Sequence, residues 1–343
     1  MSRTVTIAVA QTIPVSQELD PPSDQMDNRG AFWAIDQNLL DTMRQVEEAA
    51  TRKADVVHFP EFWLQDLVGQ GRQVWLWVVA EKYKIAIVGS IACGQPSSPE
   101  TPMPAESPFV HLLGGPPPKA LTDAQQSWVE WVQHHLVDVE AKVGHAHYPQ
   151  IHNTSVFIDD EGQVLGEYAK RNLWHPERDY FVRGRRQNQV FETKFGRVGL
   201  LICWDISHPS AGQELSDQGV DIVFVSAYWL ATDSHPQLNN WRHVNDYEKT
   251  VVHSWMLARA IETESVWSLC NCGGDPMSGY MGGSGVWVPL RGNIGGIPGP
   301  GAGLRIMEID MNVLQDTQKV YKIRDDYARY LKMVEAKEAN GTK

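Results

Sequence analysis

The chain has 343 residues, 42% of them hydrophobic, with a formal net charge of −12 and a pI near 5.4. The apolar fraction is enough for a large core, whereas the acidic balance argues against the clustered Lys and Arg that a nucleic-acid surface requires. The nearest approach to a basic run, residues 183–186, is predicted to be a solvated loop, and no run approaches the roughly 18 apolar residues of a membrane span.

Strand-like and helix-like segments alternate in the first third of the chain. Residues 4–11 alternate as a strand does, whereas the apolar residues of 38–53 recur at helical spacing. The pattern then predicts a strand at 55–59, a helix at 74–82 and a strand at 85–92. This alternation of strands and helices is typical of an α/β fold.

The alternation of predicted strands and helices resumes after residue 150. Residues 154–158 and 164–168 predict two strands joined by a turn at 159–162. Further strands are predicted at residues 198–203, 220–225 and 266–270, and helices at residues 210–218 and 247–262. The first of these is of particular interest, because that strand ends at a cysteine.

Residues 95–149 interrupt the alternation with a stretch rich in Pro and Ser, followed by a predicted helix. The helix carries Trp128, Trp131, His134, Leu136 and Val139. Two interpretations stay open: an insertion that folds over a pocket, or a surface excursion whose aromatic side chains pack on the core. Because no repeat or clear linker is present, we expect one domain over residues 1–325 and a charged tail over residues 326–343.

Four cysteines in a chain of this length do not make a disulfide framework. Cys270 and Cys272 lie too close together in sequence for a typical metal-ligand pair, and we expect no zinc site. The N-terminal segment lacks the apolar core of a signal peptide. These features favour a cytoplasmic protein, in a reducing compartment that suits a catalytic thiol.

Cys203 stands where an apolar run gives way to a polar, turn-like sequence. A strand end presents a nucleophile well, because the sheet is rigid and the turn leaves the side chain reachable. A thiol with an ordinary pKa of about 8.5 is mostly protonated at neutral pH and needs help to react. Glu61 and Lys170, at two other segment ends, offer a carboxylate base and an ammonium that stabilises developing negative charge. Together they meet both needs without histidine, metal or cofactor, although each residue alone is more often structural.

Three short motifs contain these residues. Residues 59–61 are Phe-Pro-Glu, residues 168–173 are Tyr-Ala-Lys-Arg-Asn-Leu, and residues 199–205 are Gly-Leu-Leu-Ile-Cys-Trp-Asp. In this order they resemble the motifs of the nitrilase superfamily of carbon–nitrogen hydrolases, and the resemblance extends over most of the chain.

The resemblance implies a four-layer α-β-β-α sandwich of the nitrilase type. It also implies roles: Glu61 as general base, Lys170 as the cation that stabilises the transition state, and Cys203 as nucleophile. Glu177 follows Lys170 where members of the superfamily often carry a second glutamate that helps to position the substrate. The structural alternative for Glu177 is an ordinary loop ion pair with Arg178.

The substrate is less well defined by sequence. Residues 203–205 are Cys-Trp-Asp. This tripeptide resembles the one found in amide and N-carbamoyl hydrolases more than the Cys-Trp-Glu of typical nitrilases. We therefore favour an amide or N-carbamoyl substrate over a nitrile. Trp204, Tyr228 and Trp229 follow strand ends beside the site and are candidates for binding an apolar or aromatic part of the substrate, with simple core packing as the alternative.

Some features depart from the superfamily pattern or leave alternatives open. Ser210 follows Pro209 where many members carry Glu, so any role of that Glu is missing or moved.

Two functional alternatives also stay open. An acyltransferase would use the same residues as a hydrolase, and a catalytically inactive scaffold would be favoured if one of the catalytic residues were missing. The resemblance also implies a homodimer or larger homo-oligomer, paired through the helices at 210–218 and 247–262.

Overall fold

The computed structural model describes residues 4–15, 32–64, 71–95, 104–109, 120–135, 150–234 and 247–339. Within these ranges the strands are β1 (Thr4–Gln11), β2 (Val56–Glu61), β3 (Ala86–Gln95), β4 (Gln150–Ile158), β5 (Val164–Ala169), β6 (Phe191–Thr193), β7 (Gly196–Ile202), β8 (Ile222–Ala227), β9 (Val266–Asn271), β10 (Ser284–Val288), β11 (Gly292–Ile297) and β12 (Gly303–Asp310). The helices are α1 (Phe32–Thr51), α2 (Gly71–Tyr83), α3 (Asp123–His135), α4 (Pro209–Asp217), α5 (Tyr247–Glu262), α6 (Asn312–Val320) and α7 (Ile323–Ala339). The strands form two six-stranded sheets, which confirms the predicted α/β class.

The first sheet has the strand order β12-β1-β2-β3-β4-β5. Its strands β1, β2 and β3 run parallel, β4 is antiparallel to β3, and β5 is antiparallel to β4. β2 and β5 therefore point the same way and end at the same edge of the sheet. β2 is buried along its whole length, as expected for an inner parallel strand covered on both faces. Glu61 is its last residue, and Lys170 follows the last residue of β5 at this edge.

The second sheet has the strand order β11-β10-β9-β8-β7-β6. The strands β7, β8 and β9 run parallel, with Ile202 paired to Ser226 and Ser226 paired to Cys270. The carboxyl ends of parallel strands meet at one edge, so the residues that follow β7 and β8 are neighbours. These residues are Cys203 and Tyr228.

The two sheets pack face to face, with helices on their outer sides. One core cluster joins side chains of the first sheet, such as Val56 and Val88, to side chains of the second, such as Phe224. A second cluster lies between the outer face of the first sheet and the helices α1 and α2. On the other side, α5 buries Val252 and Met256 against the second sheet. This layering gives the predicted α-β-β-α sandwich.

The described part of the 95–149 segment packs on the core. Trp128 and Trp131 of α3 are buried in the second cluster with Phe109, and the Trp128 indole donates a hydrogen bond of 2.7 Å to the Glu106 carbonyl. For these residues the interpretation of docked aromatic side chains is therefore the better one. Other parts of the segment lie outside the described residues, including the predicted helix positions Leu136 and Val139 and the side chain of His134.

Two element boundaries bear on the sequence predictions. The strand predicted to run through Cys203 ends one residue earlier, because Cys203 begins a 3-10 turn that runs to Ser207. The C-terminal helix α7 runs across position 325, where the sequence places the start of the charged tail. Among the helices that the structure describes, none is both long enough and apolar enough to span a membrane.

Candidate active site

Glu61 and Lys170 meet at the shared edge of the first sheet. The Lys170 Nζ lies 2.9 Å from Glu61 Oε1, and both side chains are almost completely buried. Cys203 approaches them from the second sheet, close enough for the charges of both residues to act on the pKa of its thiol. The structure thus brings the three residues of the predicted triad together at the junction of the two sheets.

Glu177 completes the group of charges. It lies on a 3-10 turn, Pro176–Asp179, and its Oε2 is 2.7 Å from Lys170 Nζ. The same oxygen accepts a hydrogen bond of 2.7 Å from the backbone N–H of Trp174. The ion pair of this carboxylate is therefore with Lys170 rather than with Arg178, and the role in positioning the substrate that the resemblance implies stays a prediction.

Asn153 links the two carboxylates and was not among the predicted site residues. Its Nδ2 donates to Glu61 Oε1 at 2.6 Å and to Glu177 Oε1 at 3.0 Å. The reverse orientation of the amide would place its oxygen against two carboxylates, so these contacts fix the orientation. In the sequence Asn153 stands just before the strand predicted at residues 154–158, and nothing in that pattern indicates that its side chain contacts two glutamates.

Burial and mutual charge set the protonation of the ion pair. Burial raises the pKa of Glu61, and the positive charge of Lys170 partly opposes this. Burial alone lowers the pKa of Lys170, but the negative charges of Glu61 and Glu177 raise it above its ordinary value. Lys170 is therefore a permanent cation, while Glu61 is a carboxylate with an increased affinity for a proton.

The Cys203 thiol is protonated at rest. Burial raises its pKa well above the ordinary value, the negative charge of Glu61 raises it further, and Lys170 acts in the opposite direction. Attack by this thiol therefore requires transfer of its proton to a nearby base. The backbone of Cys203 has φ of +45°, a left-handed conformation that costs energy for a residue with a side chain and is often found at functional sites.

Asp205 fixes the turn that carries the nucleophile. Its carboxylate is fully buried and accepts hydrogen bonds from the Ile202 N–H at 3.0 Å and from the backbone N–H and side-chain amide of Asn172 at 3.1 and 2.8 Å. These bonds join the segment after β7 to the segment after β5. The Asp of the Cys-Trp-Asp motif therefore has a structural role: it ties the segment that carries Cys203 to the segment that follows Lys170.

Of the three predicted pocket residues, Trp204 and Tyr228 keep accessible surface. Trp204 packs its ring 4.4 Å from the ring of Trp174 and 5.4 Å from that of Trp229. Trp229 is buried and donates its indole N–H to Glu248 at 2.9 Å, so it lies behind Trp204 as part of the core. For Trp229 the packing alternative is therefore the better description.

Tyr228 contributes its backbone as well as its ring to the site. Its N–H donates to Glu61 Oε2 at 2.7 Å, which leaves Oε1 to Lys170 and Asn153. Its ring lies 6.4 Å from that of Phe62, and its hydroxyl group is hydrogen-bonded to that of Tyr280. Tyr228 was predicted to bind substrate through its aromatic side chain, whereas its contact with Glu61 is made by its backbone N–H.

Among the other cysteines, Cys272 also lies near the charged group, since the negative charge of Glu61 contributes to the raised pKa of its thiol. Cys270 and Cys272 are buried free thiols in and just after β9, and burial raises the pKa of both. In the described ranges of the chain, no group of three or more His, Cys, Asp or Glu side chains is arranged to hold a metal ion.

Replacing Asn153 by Leu is expected to move the acid limb of the kcat/KM profile to higher pH and to lower kcat about tenfold. Without the amide, the two carboxylates lose their shared donor, and the hydrogen bond that lowers the pKa of Glu61 is lost while the charge of Glu177 still raises it. The measurement is the pH–rate profile of the C–N bond hydrolysis that the resemblance predicts. Asn188→Leu is the control, because the Asn188 side chain is equally buried but donates to the Leu200 carbonyl; an acid limb that moves equally in both variants would contradict the assignment.

The α-β-β-α sandwich, with Glu61, Lys170 and Cys203 near the junction of its sheets, has the layout that the resemblance to carbon–nitrogen hydrolases implies. Residues 6–319 match the family model described as carbon-nitrogen hydrolase. The chain therefore belongs to the carbon–nitrogen hydrolase family.

Comparison with curated proteins finds amidases among the similar chains. The 2-oxoglutaramate amidase of Bacillus subtilis (strain 168) is 25% identical over 209 residues, which are 60% of this chain and 75% of that protein. The N-carbamoylputrescine amidase of Arabidopsis thaliana is 36% identical over 109 residues, 29% of this chain and 34% of that protein. The matched part thus spans three quarters of the first relative and about a third of the second.

Solved structures of the nitrilase superfamily have the same fold. An amidase from Nesterenkonia sp. AN1 superposes with a TM-score of 0.57 at 20% identity, covering 92% of this chain and 94% of its own. Nit3 of Saccharomyces cerevisiae superposes with a TM-score of 0.61 at 17% identity, covering 94% and 95%. These similarities confirm the predicted fold over nearly the whole chain.

Proposed function

We propose that this protein hydrolyses the C–N bond of a small amide or N-carbamoyl compound through a thioester on Cys203. In this proposal Glu61 is the general base and Lys170 stabilises the tetrahedral intermediate. The observation that carries the proposal is the buried ion pair of 2.9 Å between Lys170 Nζ and Glu61 Oε1, with the thiol of Cys203 under the influence of both charges. Buried titratable groups with mutually shifted pKa values are typical of catalytic sites.

The first half-reaction forms the thioester. Cys203 Sγ attacks the carbonyl carbon while the thiol proton passes to Glu61, whose raised pKa makes it a better proton acceptor. The carbonyl oxygen gains negative charge, which the Lys170 ammonium and the backbone N–H of Trp204 stabilise. When the C–N bond breaks, Glu61 returns the proton to the leaving nitrogen, which departs as ammonia or an amine.

The second half-reaction releases the acid. A water molecule attacks the thioester carbon and gives a proton to Glu61, and the same cation stabilises the second tetrahedral intermediate. Collapse of this intermediate breaks the C–S bond, and Glu61 returns the proton to the Cys203 sulfur. Glu177 and Asn153 hold Lys170 and Glu61 in place through both halves.

Amide and N-carbamoyl substrates are favoured over nitriles by two considerations. The relatives named above are amidases, including one whose name specifies an N-carbamoyl compound. In addition, Asp205 of the Cys-Trp-Asp motif fits its buried position with three hydrogen bonds, whereas a glutamate there would need an additional methylene group in a closed site. A nitrilase that converts a nitrile to the acid and ammonia is the second candidate.

The experiment is ammonia release from a matched set: a nitrile, its primary amide and an N-carbamoyl amino acid, each with wild type and with Cys203→Ala. We expect release from the amide or the N-carbamoyl compound, and loss of that release in the variant. Release from the nitrile in preference to both would establish the second candidate. No thiol-dependent release from any of the three compounds would contradict the proposed substrate class.

Product analysis separates hydrolysis from acyl transfer. An acyltransferase would pass the acyl group of the thioester to an added amine instead of to water, so the product would be a new amide and the free acid would be minor. An inactive scaffold would bind without forming either product. A cytoplasmic location and a homodimer or larger homo-oligomer paired through the helices α4 and α5 stay predictions, for which cell fractionation and light scattering are the direct measurements.

A further inference from the structure

A buried histidine lies three residues before Glu61. His58 is on β2, has no accessible surface, and its pKa is lowered by burial to about 3, so its ring is neutral. Both ring nitrogens contact serines of the opposite sheet: Nδ1 is 2.9 Å from Ser268 Oγ on β9, and Nε2 is 3.3 Å from Ser226 Oγ on β8. The mechanism above gives this residue no role.

The hydrogen-bond directions in this group follow from its contacts. Ser226 Oγ lies 3.0 Å from the Phe59 carbonyl, which accepts the serine proton. The Ser226 oxygen is then an acceptor toward His58, so the proton of the neutral ring is on Nε2 and Nδ1 accepts from the Ser268 hydroxyl. We call Ser268–His58–Ser226–Phe59 the inter-sheet hydrogen-bond chain. Each link has a donor and an acceptor, which avoids the cost of an unsatisfied buried polar group.

The inter-sheet hydrogen-bond chain ends at an irregularity in β2. His58 pairs with Val88 of β3, but Glu61 pairs with Ser90, so three steps along β2 match two along β3. One extra residue therefore lies between them, as in a β-bulge, where the ladder is locally disrupted. Pro60 has no N–H to donate, and the Phe59 carbonyl accepts from Ser226 of the other sheet.

The same strand also holds the carboxylate of Glu61. Ser226 lies two residues before Tyr228, whose backbone N–H donates to Glu61 Oε2 at 2.7 Å. This part of the second sheet therefore holds β2 twice: the Ser226 side chain on β8 donates to the Phe59 carbonyl, and the backbone N–H of Tyr228, the residue after β8, donates to the Glu61 carboxylate. These contacts fix the position of the β2 backbone and of the Glu61 side chain relative to β8. β8 in turn lies beside β7, the strand that precedes Cys203.

We infer that His58 and Ser226 are positioning residues: the inter-sheet hydrogen-bond chain holds the Glu61 carboxylate where it receives the Cys203 proton. This inference rests on the proposed function, because it takes Glu61 as the base. Neither residue touches the substrate in this account. Both act through the bulge between His58 and Glu61, so their loss is expected to affect proton transfer more than substrate binding.

The test measures the reactivity of Cys203 directly, together with turnover. Ser226→Ala removes the hydroxyl between His58 and Phe59, and we expect alkylation of Cys203 by iodoacetamide to slow about tenfold, toward the rate in Glu61→Gln. Peptide mass analysis distinguishes Cys203 from the other cysteines. For any amide or N-carbamoyl substrate that is turned over, we expect kcat to fall about tenfold while KM changes less than twofold, because the substrate contacts are kept.

Two further variants separate positioning from a general loss of stability. Ser226→Cys keeps nearly the same volume and offers only a weak donor, so it gives a second measurement with the packing preserved. Thr317→Val removes another buried hydroxyl, which donates to the Val313 carbonyl at 2.7 Å in α6. We expect Thr317→Val to lower Tm comparably without changing the alkylation rate.

The outcomes are distinct. Wild-type alkylation rates and wild-type kcat in both Ser226 variants, with Tm lowered as in Thr317→Val, would overturn the inference and leave the proposed function intact. If instead no amide or N-carbamoyl compound is hydrolysed by wild type, the proposed function fails. The inference would then stand only if alkylation depends on Glu61 and slows in the Ser226 variants.

Discussion

Replacing Cys203 by Ala is expected to lower kcat for an amide or N-carbamoyl substrate on the order of 10⁵-fold while the protein stays folded. The reason is chemical: without Sγ no thioester forms, and Glu61 and Lys170 can only polarise and bind. The substitution removes one sulfur atom from a buried turn whose hydrogen bonds are made by Asp205, so the turn itself keeps its contacts. Ammonia release measures the activity, and thermal unfolding by circular dichroism measures the fold.

The matched control is Cys93→Ala. Cys93 is a half-buried thiol on β3, and we expect its replacement to leave kcat within about twofold of wild type. A rate near the wild-type value in Cys203→Ala would show that the thiol is not the nucleophile. A loss of activity in Cys93→Ala equal to that in Cys203→Ala would show that the site responds to any change of thiol.

Replacing Glu61 by Gln is expected to lower kcat about 10³-fold, within the usual range for a general base. The amide has the shape of the carboxylate but takes no proton from Cys203. Its single oxygen accepts on one side only, either from Lys170 and Asn153 or from the Tyr228 N–H. In wild type, kcat/KM falls as the pH falls through the raised pKa of Glu61, because the carboxylate is then protonated and no longer a base. The Gln variant should show no such acid limb.

A pH–rate series on both proteins checks this prediction. Glu81→Gln serves as the control, because Glu81 is an exposed carboxylate on α2; we expect its profile to match that of wild type. An acid limb that persists unchanged in Glu61→Gln would assign the titrating group to another residue. A kcat in Glu61→Gln close to the wild-type value would exclude Glu61 as the base.

The sequence predicted the fold well where periodicity and burial agree. The helix predicted at residues 247–262 coincides with α5, because its apolar side chains are spaced for one buried face. The helix predicted to start at residue 38 instead begins at Phe32, since Phe32 and Ile35 already belong to the core cluster on the outer face of the first sheet. The strand predicted to include Cys203 stops at Ile202, because the backbone there turns into the left-handed region, which residue types alone do not reveal.

The site was predictable where residue type carries the chemistry. Glu61, Lys170 and Cys203 were predicted from motifs and Glu177 from its place after Lys170. The structure brings both glutamates to the Lys170 ammonium, and their charges act on the pKa of the Cys203 thiol. Asn153 could not be found in this way, because its contact with Glu61 arises from strand pairing across the first sheet.

His58 was missed for a similar reason. A polar residue in a buried strand carries a signal, but its partners Ser226 and Ser268 lie 168 and 210 residues away and belong to the other sheet. The separation in sequence is too large for any local pattern to link them. Trp229 shows the converse: an aromatic residue at a strand end suggested a pocket wall, whereas its indole is satisfied inside the core by Glu248.

The most direct measurement is the mass of the enzyme during turnover. Wild type would be mixed with an amide or N-carbamoyl substrate that it hydrolyses, quenched in acid within the first turnovers, and examined by intact mass and peptide mapping. The account predicts an added acyl or carbamoyl group on the peptide that contains Cys203, and no such addition in Cys203→Ala. Hydrolysis that proceeds with no adduct on this peptide at any quench time, and that persists in Cys203→Ala, would contradict a thioester mechanism.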